Sequence, residues 1–452
     1  MPDVPASSTA LPVSRESMIT IAQRALATAR RLGASDADVE VSAAIGQGVT
    51  VRRGEVETVE YNRDKGLGIT VYFGARRGNA STSDLAPDGV DRTVEAACAI
   101  ARHTSEDPAA GLPDPKRLLQ GPPPDLDLFH PWSLTVEEAI DIARRTESAA
   151  LAMDRRITNT EGATVSAYDA DFILANTRGF CDGFPTSKSS ISCSVVAEDA
   201  GGMQRDYWYS SHRDPRALES PEAVGRAAGT RTVARLGARR LPTGDVPVLF
   251  DANVAGSLIS HFVSAASGSS LYRHSSFLEG KLGQAVFAPH VRLREDPHMA
   301  GEMASAYFDA EGVATQPRYV IRDGVLEGWF LSSYSARKLG RETTGNAGGN
   351  HNLILEPGPL DLQGLMRKMD RGFLVTEMMG QGVNTVTGDY SRGAVGFWVE
   401  GGEIRFPVEE VTIAGNLREM YRGIVAVGND VLVRGSKHAG SILLERMTIA
   451  GD

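Results

Sequence analysis

The chain reads as an α/β (α+β) protein, with an N-terminal domain of helices and hairpin sheet and a strand-rich C-terminal domain. Three observations predict this. Helical stripes of apolar residues alternate with runs of β-branched residues punctuated by turn dipeptides. A polar, Pro- and Gly-containing break at residues 239–245 (Arg-Arg-Leu-Pro-Thr-Gly-Asp) separates two such assortments. The 452 residues, 42% hydrophobic and 23% charged, suffice for more than one sizeable core. The expected organisation is a flexible tail over 1–13, a first domain over 14–240 and a second over 245–452.

Ser14 is a helix cap with Glu16 in the first turn, where the dipole favours an acid. Ile19, Ala22, Leu26, Ala29 and Leu32 then form a helical stripe that Gly33 ends. Across 38–78, Val39, Val41, Val49, Val51, Val56, Val59, Ile69 and Val71 sit among turn pairs Arg53-Gly54 and Lys65-Gly66, predicting successive hairpins. A helix follows over about 89–102. Residues 105–132, centred on Pro122-Pro123-Pro124, read as an extended surface connector. Thr135-Val136-Glu137-Glu138 is a capping box ahead of a helix over 139–153. Strands return between 163 and 209, and Ser220-Pro221-Glu222 opens another helix with proline where its missing N–H costs nothing. In the second half, 246–250 is a short apolar strand. Asp251 caps a helix with Val254, Leu258, Phe262 and Ala265 on one face. From 318 onward strands dominate, with hairpin turns at Arg322-Asp323-Gly324 and Glu400-Gly401-Gly402. No short repeat is visible.

A net charge of -10 without a basic run argues against nucleic acid as partner. The arginines spaced through 231–240 read as a solvated helix face. Three cysteines (Cys98, Cys181, Cys193) without paired spacing fit a reducing compartment, and each is expected as a buried structural thiol. With neither a signal-like N-terminus nor a bilayer-length apolar run, the expected location is the cytoplasm, with no membrane contact.

Candidate chemistry is sparse. None of the nine histidines forms His-Glu-x-x-His or another helix-spaced pair, and no Cys-x-x-Cys exists, so the residues give no positive case for a metal site on this chain. No Gly-x-Ser-x-Gly elbow is present. The serines of 264–270 leave a catalytic hydroxyl conceivable, with a flexible helix end the simpler reading. Two glycine-rich stretches stand out, 343–351 and 378–384, the latter leading into Thr387-Gly388-Asp389-Tyr390-Ser391-Arg392-Gly393. They lack the Lys-Ser/Thr of a phosphate loop. Tight turns explain them. The sharper alternative is a peptide cleft in which His351, Asp389, Tyr390 and Arg392 contact a bound strand.

At these stretches the chain resembles a known family. Ser333-Tyr334-Ser335-Ala336-Arg337-Lys338-Leu339-Gly340, the 387–394 run, Gly396-Phe397-Trp398-Val399-Glu400, Thr412-Ile413-Ala414-Gly415-Asn416-Leu417 and Val425-Ala426-Val427-Gly428-Asn429-Asp430 are similar to segments of the TldE/PmbA half of the TldD/TldE metalloproteases. The likeness is dense from about 245 to the end. It implies a two-domain α/β protein that pairs with a TldD-like subunit to hydrolyse unfolded or small peptides, with a homodimer possible for the chain alone. In TldD a helix carries His-Glu-x-x-x-His and a later cysteine completes the zinc site. The corresponding helix here reads His261-Phe262-Val263-Ser264-Ala265-Ala266, keeping only the first histidine, and His438-Ala439-Gly440 stands in the cysteine region. The resemblance therefore implies no catalytic residue and no metal on this chain, zinc being supplied by the partner, with His261 a packing or interface residue. Three alternatives stay open: a self-sufficient hydrolase with a Ser or Cys nucleophile, a non-enzymatic peptide-binding or scaffold protein, and a homodimer whose site is assembled from distant residues such as His274, His351 and Glu279.

Overall fold

The computed structural model describes residues 11–451. Residues 1–10 of the expected tail lie outside the described residues. Leu11 and Val13 pack against the first core, so the chain is anchored ahead of the first helix.

The first half is one antiparallel sheet with helices on it. Helix α1 (Arg15–Arg31) is capped by Ser14, whose hydroxyl accepts from the Ser17 N–H, and buries Met18, Ala22, Ala25, Leu26 and Ala29. Strands β1 (Asp36–Arg52) and β2 (Glu55–Phe73) form a long hairpin across Arg53-Gly54, both at positive φ (53° and 76°). Lys65-Gly66, expected as a second turn, lies inside β2 opposite Ala43 and Ser42. The next reversal comes at Gly74, before β3 (Arg76–Thr82). Then follow α2 (Pro87–His103), α3 (Val136–Leu151, with both halves of the capping box formed), β4 (Ile157–Asn176), β5 (Cys181–Asp182), β6 (Thr186–Asp199), β7 (Gly202–His212) and α4 (Pro221–Ala234). The sheet order is β3-β2-β1-β4-β6-β7, with β5 paired to β4, so β7 is an edge strand. Helices α1 and α2 close one core over this sheet, and α3 and α4 another.

Two expectations about the links between the halves are corrected. The 105–132 connector is not a surface strap along its whole length. Its leucines 118, 126 and 128 are buried with Phe180, Tyr307 and Phe308, pinning the second half to the first. The arginines of 231–240 are not a uniformly solvated face either. Arg235 is 7% exposed, because the buried Asp206 and the half-buried Glu377 both pair with it.

The second half opens with β8 (Gly244–Phe250), α5 (Ala252–Ala266) and α6 (Gly268–Tyr272). It continues through β9 (Leu293–Asp296), β10 (Arg318–Arg322), β11 (Val325–Leu326), α7 (Ser333–Lys338), β12 (Asn352–Leu355) and α8 (Leu362–Met369). It ends with β13 (Arg371–Met379), β14 (Asp389–Glu400), β15 (Glu403–Asn416), α9 (Leu417–Arg422), β16 (Ile424–Val427), β17 (Lys437–His438) and β18 (Ile442–Ala450). One sheet runs β15-β14-β13-β8-β18-β16, and β15 also pairs with β18, which closes a ring of strands. A second sheet runs β11-β10-β9-β12-β17. The apolar face of α5 (Leu258, Ile259, Phe262, Ala265) fills the large core between them. Its opposite face is left toward the first half.

Candidate functional site

That opposite face forms the floor of a cavity of about 420 Å³ between the two halves, lined by Asn253, Gly256, Ser257 and Ser260 of α5. One wall is β7, which contributes Tyr207, Trp208 and Tyr209. Side chains alternate across a strand, so three consecutive lining residues mean that β7 presents its edge, not one face. The other wall is Thr376, Glu377 and Met378 of β13, with Arg392 of β14. Here β13 has outrun β8, whose pairing stops at Phe250 opposite Val375. The β13–β14 register shifts between Val375 and Glu377, a bulge of the kind that re-aims side chains. Residues 432–437 close the end with Arg434 and Lys437.

The electrostatics are built from both halves. Asp206, 3% exposed, lies 3.3 Å from Arg231 and 3.6 Å from Arg235, and Arg235 also pairs with Glu377 across the domain junction. The Arg434 guanidinium stacks 3.9 Å from the Trp208 ring centre and 4.2 Å from that of Tyr209, and donates to Asn253 Oδ1 at 3.0 Å. Lys437 Nζ meets the Ser436 hydroxyl at 3.0 Å. Burial pushes both cations below their ordinary pKa values.

Of the residues that the sequence suggested for a cleft, Arg392 lines this cavity. Tyr390 is 1% exposed and sits with its ring edge-on to His261, centroids 5.8 Å apart. Asp389 is exposed and accepts from Thr387 Oγ1 at 2.6 Å and Asn416 Nδ2 at 3.0 Å, bonds that hold the β13–β14 loop and lower its pKa. His351 is elsewhere: its N–H donates to Glu295 and its Nε2 lies 2.9 Å from the Gly345 carbonyl, in a buried network with Arg318 and Asn346. The aromatic run 207–209, the α5 hydroxyls, Glu377, Arg434 and Lys437 were not singled out from sequence. The polar Asn253, Ser257 and Ser260 on the back of an apolar helix were the legible signal.

The serines of 264–270 donate to backbone carbonyls or to one another, and Ser267 caps α6, so this run is a helix junction whose hydroxyl protons are engaged locally. Cys98 and Cys193 are buried, and burial pushes Cys193 up to about 12. Cys181 is exposed, contrary to the expected buried thiol, because it lies on the short β5 at the sheet margin.

Residues 37–101 match domain 1 of the PmbA/TldA metallopeptidases, 129–236 the central domain and 243–451 the C-terminal domain. The chain is also 48% identical to Metalloprotease PmbA of Escherichia coli O157:H7, over 97% of this chain and 98% of that one. The chain belongs to the PmbA/TldD metalloprotease family. Among solved structures, a Bacteroides thetaiotaomicron protein described as a candidate modulator of DNA gyrase matches with TM-score 0.91 and 28% identity, over 96% of this chain and 98% of that one. TldE from Thermococcus kodakarensis shares the fold with TM-score 0.83 at 21% identity, over 95% of this chain and 100% of that one.

PmbA/TldD membership raises the question of zinc, and the resident side chains of α5 do not fit that ion. Phe262 is 0% exposed and packs edge-on against Phe287, Phe330 and Tyr421. Ala266, also 0% exposed, has no donor atom. His261 alone offers a nitrogen. Its Nε2 is buried without a hydrogen-bond partner, and its pKa is lowered first by burial and then by the Arg392 charge. A cation beside a single imidazole is the wrong setting for a dication that takes about three protein ligands. Strand β17, in the cysteine region of this PmbA/TldD chain, does lie against α5, with Lys437 Cβ 3.6 Å from where a Gly256 Cβ would stand. His438 beside it is 4% exposed and 3.4 Å from Glu302. His274 does pair with Glu279, at 2.6 Å on the surface. Among the described residues no three His, Cys, Asp or Glu side chains converge as a ligand set.

Proposed function

We propose that this chain is the TldE/PmbA-type subunit of a heterodimeric zinc metalloprotease that degrades or processes unfolded or small peptides. A TldD-like partner supplies the zinc, the general base and the water. This subunit is inert alone, closes the cleft and holds the substrate as an extended strand. The observation that carries the reading is the filling of the family's metal helix: Phe262 and Ala266, both fully buried, stand where a base and a ligand are needed. The two free strand edges, β7 at 207–209 and β13 at 376–378, support the second part, since main-chain pairing at an edge holds peptides of many sequences and excludes folded ones. Three free thiols fit a cytoplasmic setting. Among the described residues, no helix is long and apolar enough to cross a membrane.

The test is peptidase activity and zinc content of the chain alone, of the TldD-like subunit alone and of the mixture, on an unstructured peptide. The expected result is turnover in the mixture that a chelator abolishes, with no stoichiometric zinc on this chain. Chelator-resistant cleavage by the isolated chain that serine or cysteine reagents stop would establish a self-sufficient hydrolase. Stoichiometric zinc with cleavage by the chain alone would establish a homodimeric metal site. Peptide binding with no effect on turnover would leave a scaffold.

A further inference from the structure

The cavity wall carries four cations, Arg231, Arg392, Arg434 and Lys437, against two carboxylates, Asp206 and Glu377. Both carboxylates are already engaged: Asp206 by Arg231 and Arg235, and Glu377 by Arg235. Arg434 has one carboxylate in range, Glu219 at 3.9 Å. Arg392 and Lys437 have none among the described residues. The wall thus carries a net surplus of two positive charges (four minus two), in a chain whose net charge is -10. Nε of Arg392 and Nη2 of Arg434 are sealed from solvent, Arg392 beside the Tyr390 hydroxyl and Arg434 within 3.9 Å of Glu219. Unpaired cations held in a partly desolvated pocket are costly unless an anion completes them.

The remaining lining favours a chain-like ligand over a small ion. The hydroxyls of Ser257 and Ser260 spend their protons on the carbonyls of Val254 (2.6 Å) and Gly256 (3.0 Å), so both oxygens are left as acceptors, suited to a peptide N–H. The edge of β7 offers main-chain groups along the same wall.

We propose that this cavity is a carboxylate-recognition site for peptides, in which Arg392 and Lys437 bind either the C-terminal carboxylate or an Asp/Glu side chain. Every residue belongs to this chain, so the site stands without the heterodimer reading and fails or holds separately from it.

The experiment is calorimetric titration of the full chain alone with three N-acetylated alanine pentapeptides: the free acid, the C-terminal amide, and the amide with a central Asp. At least one acidic peptide should bind about tenfold more tightly than the neutral amide, as charge-assisted hydrogen bonds outweigh neutral ones. Preference for the free acid alone marks C-terminal recognition, and preference for the Asp peptide alone marks side-chain recognition. Lys437→Gln and Arg392→Gln should each abolish the preference, and Lys437→Arg should keep it. Arg405→Gln, which removes an exposed cation paired with Glu403, should leave it unchanged. The proposal is overturned if no peptide binds, if the neutral amide binds as well as the acids, if both Gln variants keep the preference, or if millimolar inorganic phosphate displaces the peptides as effectively as the free acid does.

Discussion

Replacing Arg235 with Met tests whether the cleft walls are held by charge. The guanidinium is 9% exposed and sits 3.6 Å from Asp206, whose side chain is 4% exposed, while also pairing with Glu377 at 28%. At 3.6 Å and an effective dielectric of ~20, the Arg235–Asp206 attraction is about 4–5 kcal/mol before desolvation. Removing one partner of a buried pair usually costs ~3–5 kcal/mol, most of it from the charge left behind. Two features reduce that cost here. Asp206 keeps Arg231 at 3.3 Å and the Tyr207 N–H at 2.7 Å, and Glu377 can turn toward water. The expected loss is therefore ~2–3 kcal/mol. Urea unfolding measures it, and a cycle with Glu377→Gln isolates the junction. The pair should couple by ~1 kcal/mol or more, because the two residues are in direct contact. A single-variant loss below ~0.5 kcal/mol, or additive single effects, would show that the Arg235–Glu377 contact does not hold the cleft walls together.

Three further outcomes follow from buried groups. Burial, with the Glu311 charge second, raises Asp38 from 3.8 to about 7, outweighing the Tyr72 and Thr70 hydrogen bonds and Arg77. The folded state then holds a proton that the unfolded chain releases, so stability falls as pH rises from ~4 to ~7 and levels above that. Asp38→Asn should match wild type near pH 4 and exceed it at pH 8 by ~1–3 kcal/mol, ~4 being the ceiling from the pKa difference; equal gains at both pH values in thermal melts would refute this. Restoring the motif with Phe262→Glu and Ala266→His should leave zinc substoichiometric by elemental analysis and cost ~3–5 kcal/mol, because a carboxylate enters an aromatic core; one zinc per chain would contradict the misfit. Gly225→Ala should destabilise the α3–α4 contact by ~1–3 kcal/mol, since its Cβ would fall 2.1 Å from the Thr146 carbonyl; a neutral effect in urea would mean that the helices separate freely.

What was legible in the sequence was what local chemistry decides. Ser14, Thr135 and Asp251 cap helices because each side chain reaches an N–H two or three residues on, a relation written within a few positions. Arg53-Gly54 turns because both residues adopt positive φ. Lys65-Gly66 has the same look, yet Gly66 stays extended. Its partners on β1 are more than twenty positions away, and their ladder outweighs the local preference. The family was legible for the same local reason, as its motifs are continuous strings in the second half.

The cleft was not legible, and the reason is geometrical. Its walls come from 206–209, 231, 253–260, 376–378, 392 and 432–437, brought together by strand order that no window of sequence contains. Arg235 shows the consequence. Within the 231–240 run it has the spacing of a solvated arginine face, although α4 ends at Ala234 and Arg235 is its C-cap. What covers it is Asp206 of β7 together with Glu377, 142 residues later, reaching back from a strand of the other half. Arg392 follows a glycine-rich loop that marks it in the sequence, while Lys437, which also lines the cavity, has no local peculiarity to mark it. A residue's charge is visible in sequence, but whether that charge is already neutralised is a property of the fold. The unneutralised pair, Arg392 and Lys437, is therefore what the structure adds to the family resemblance.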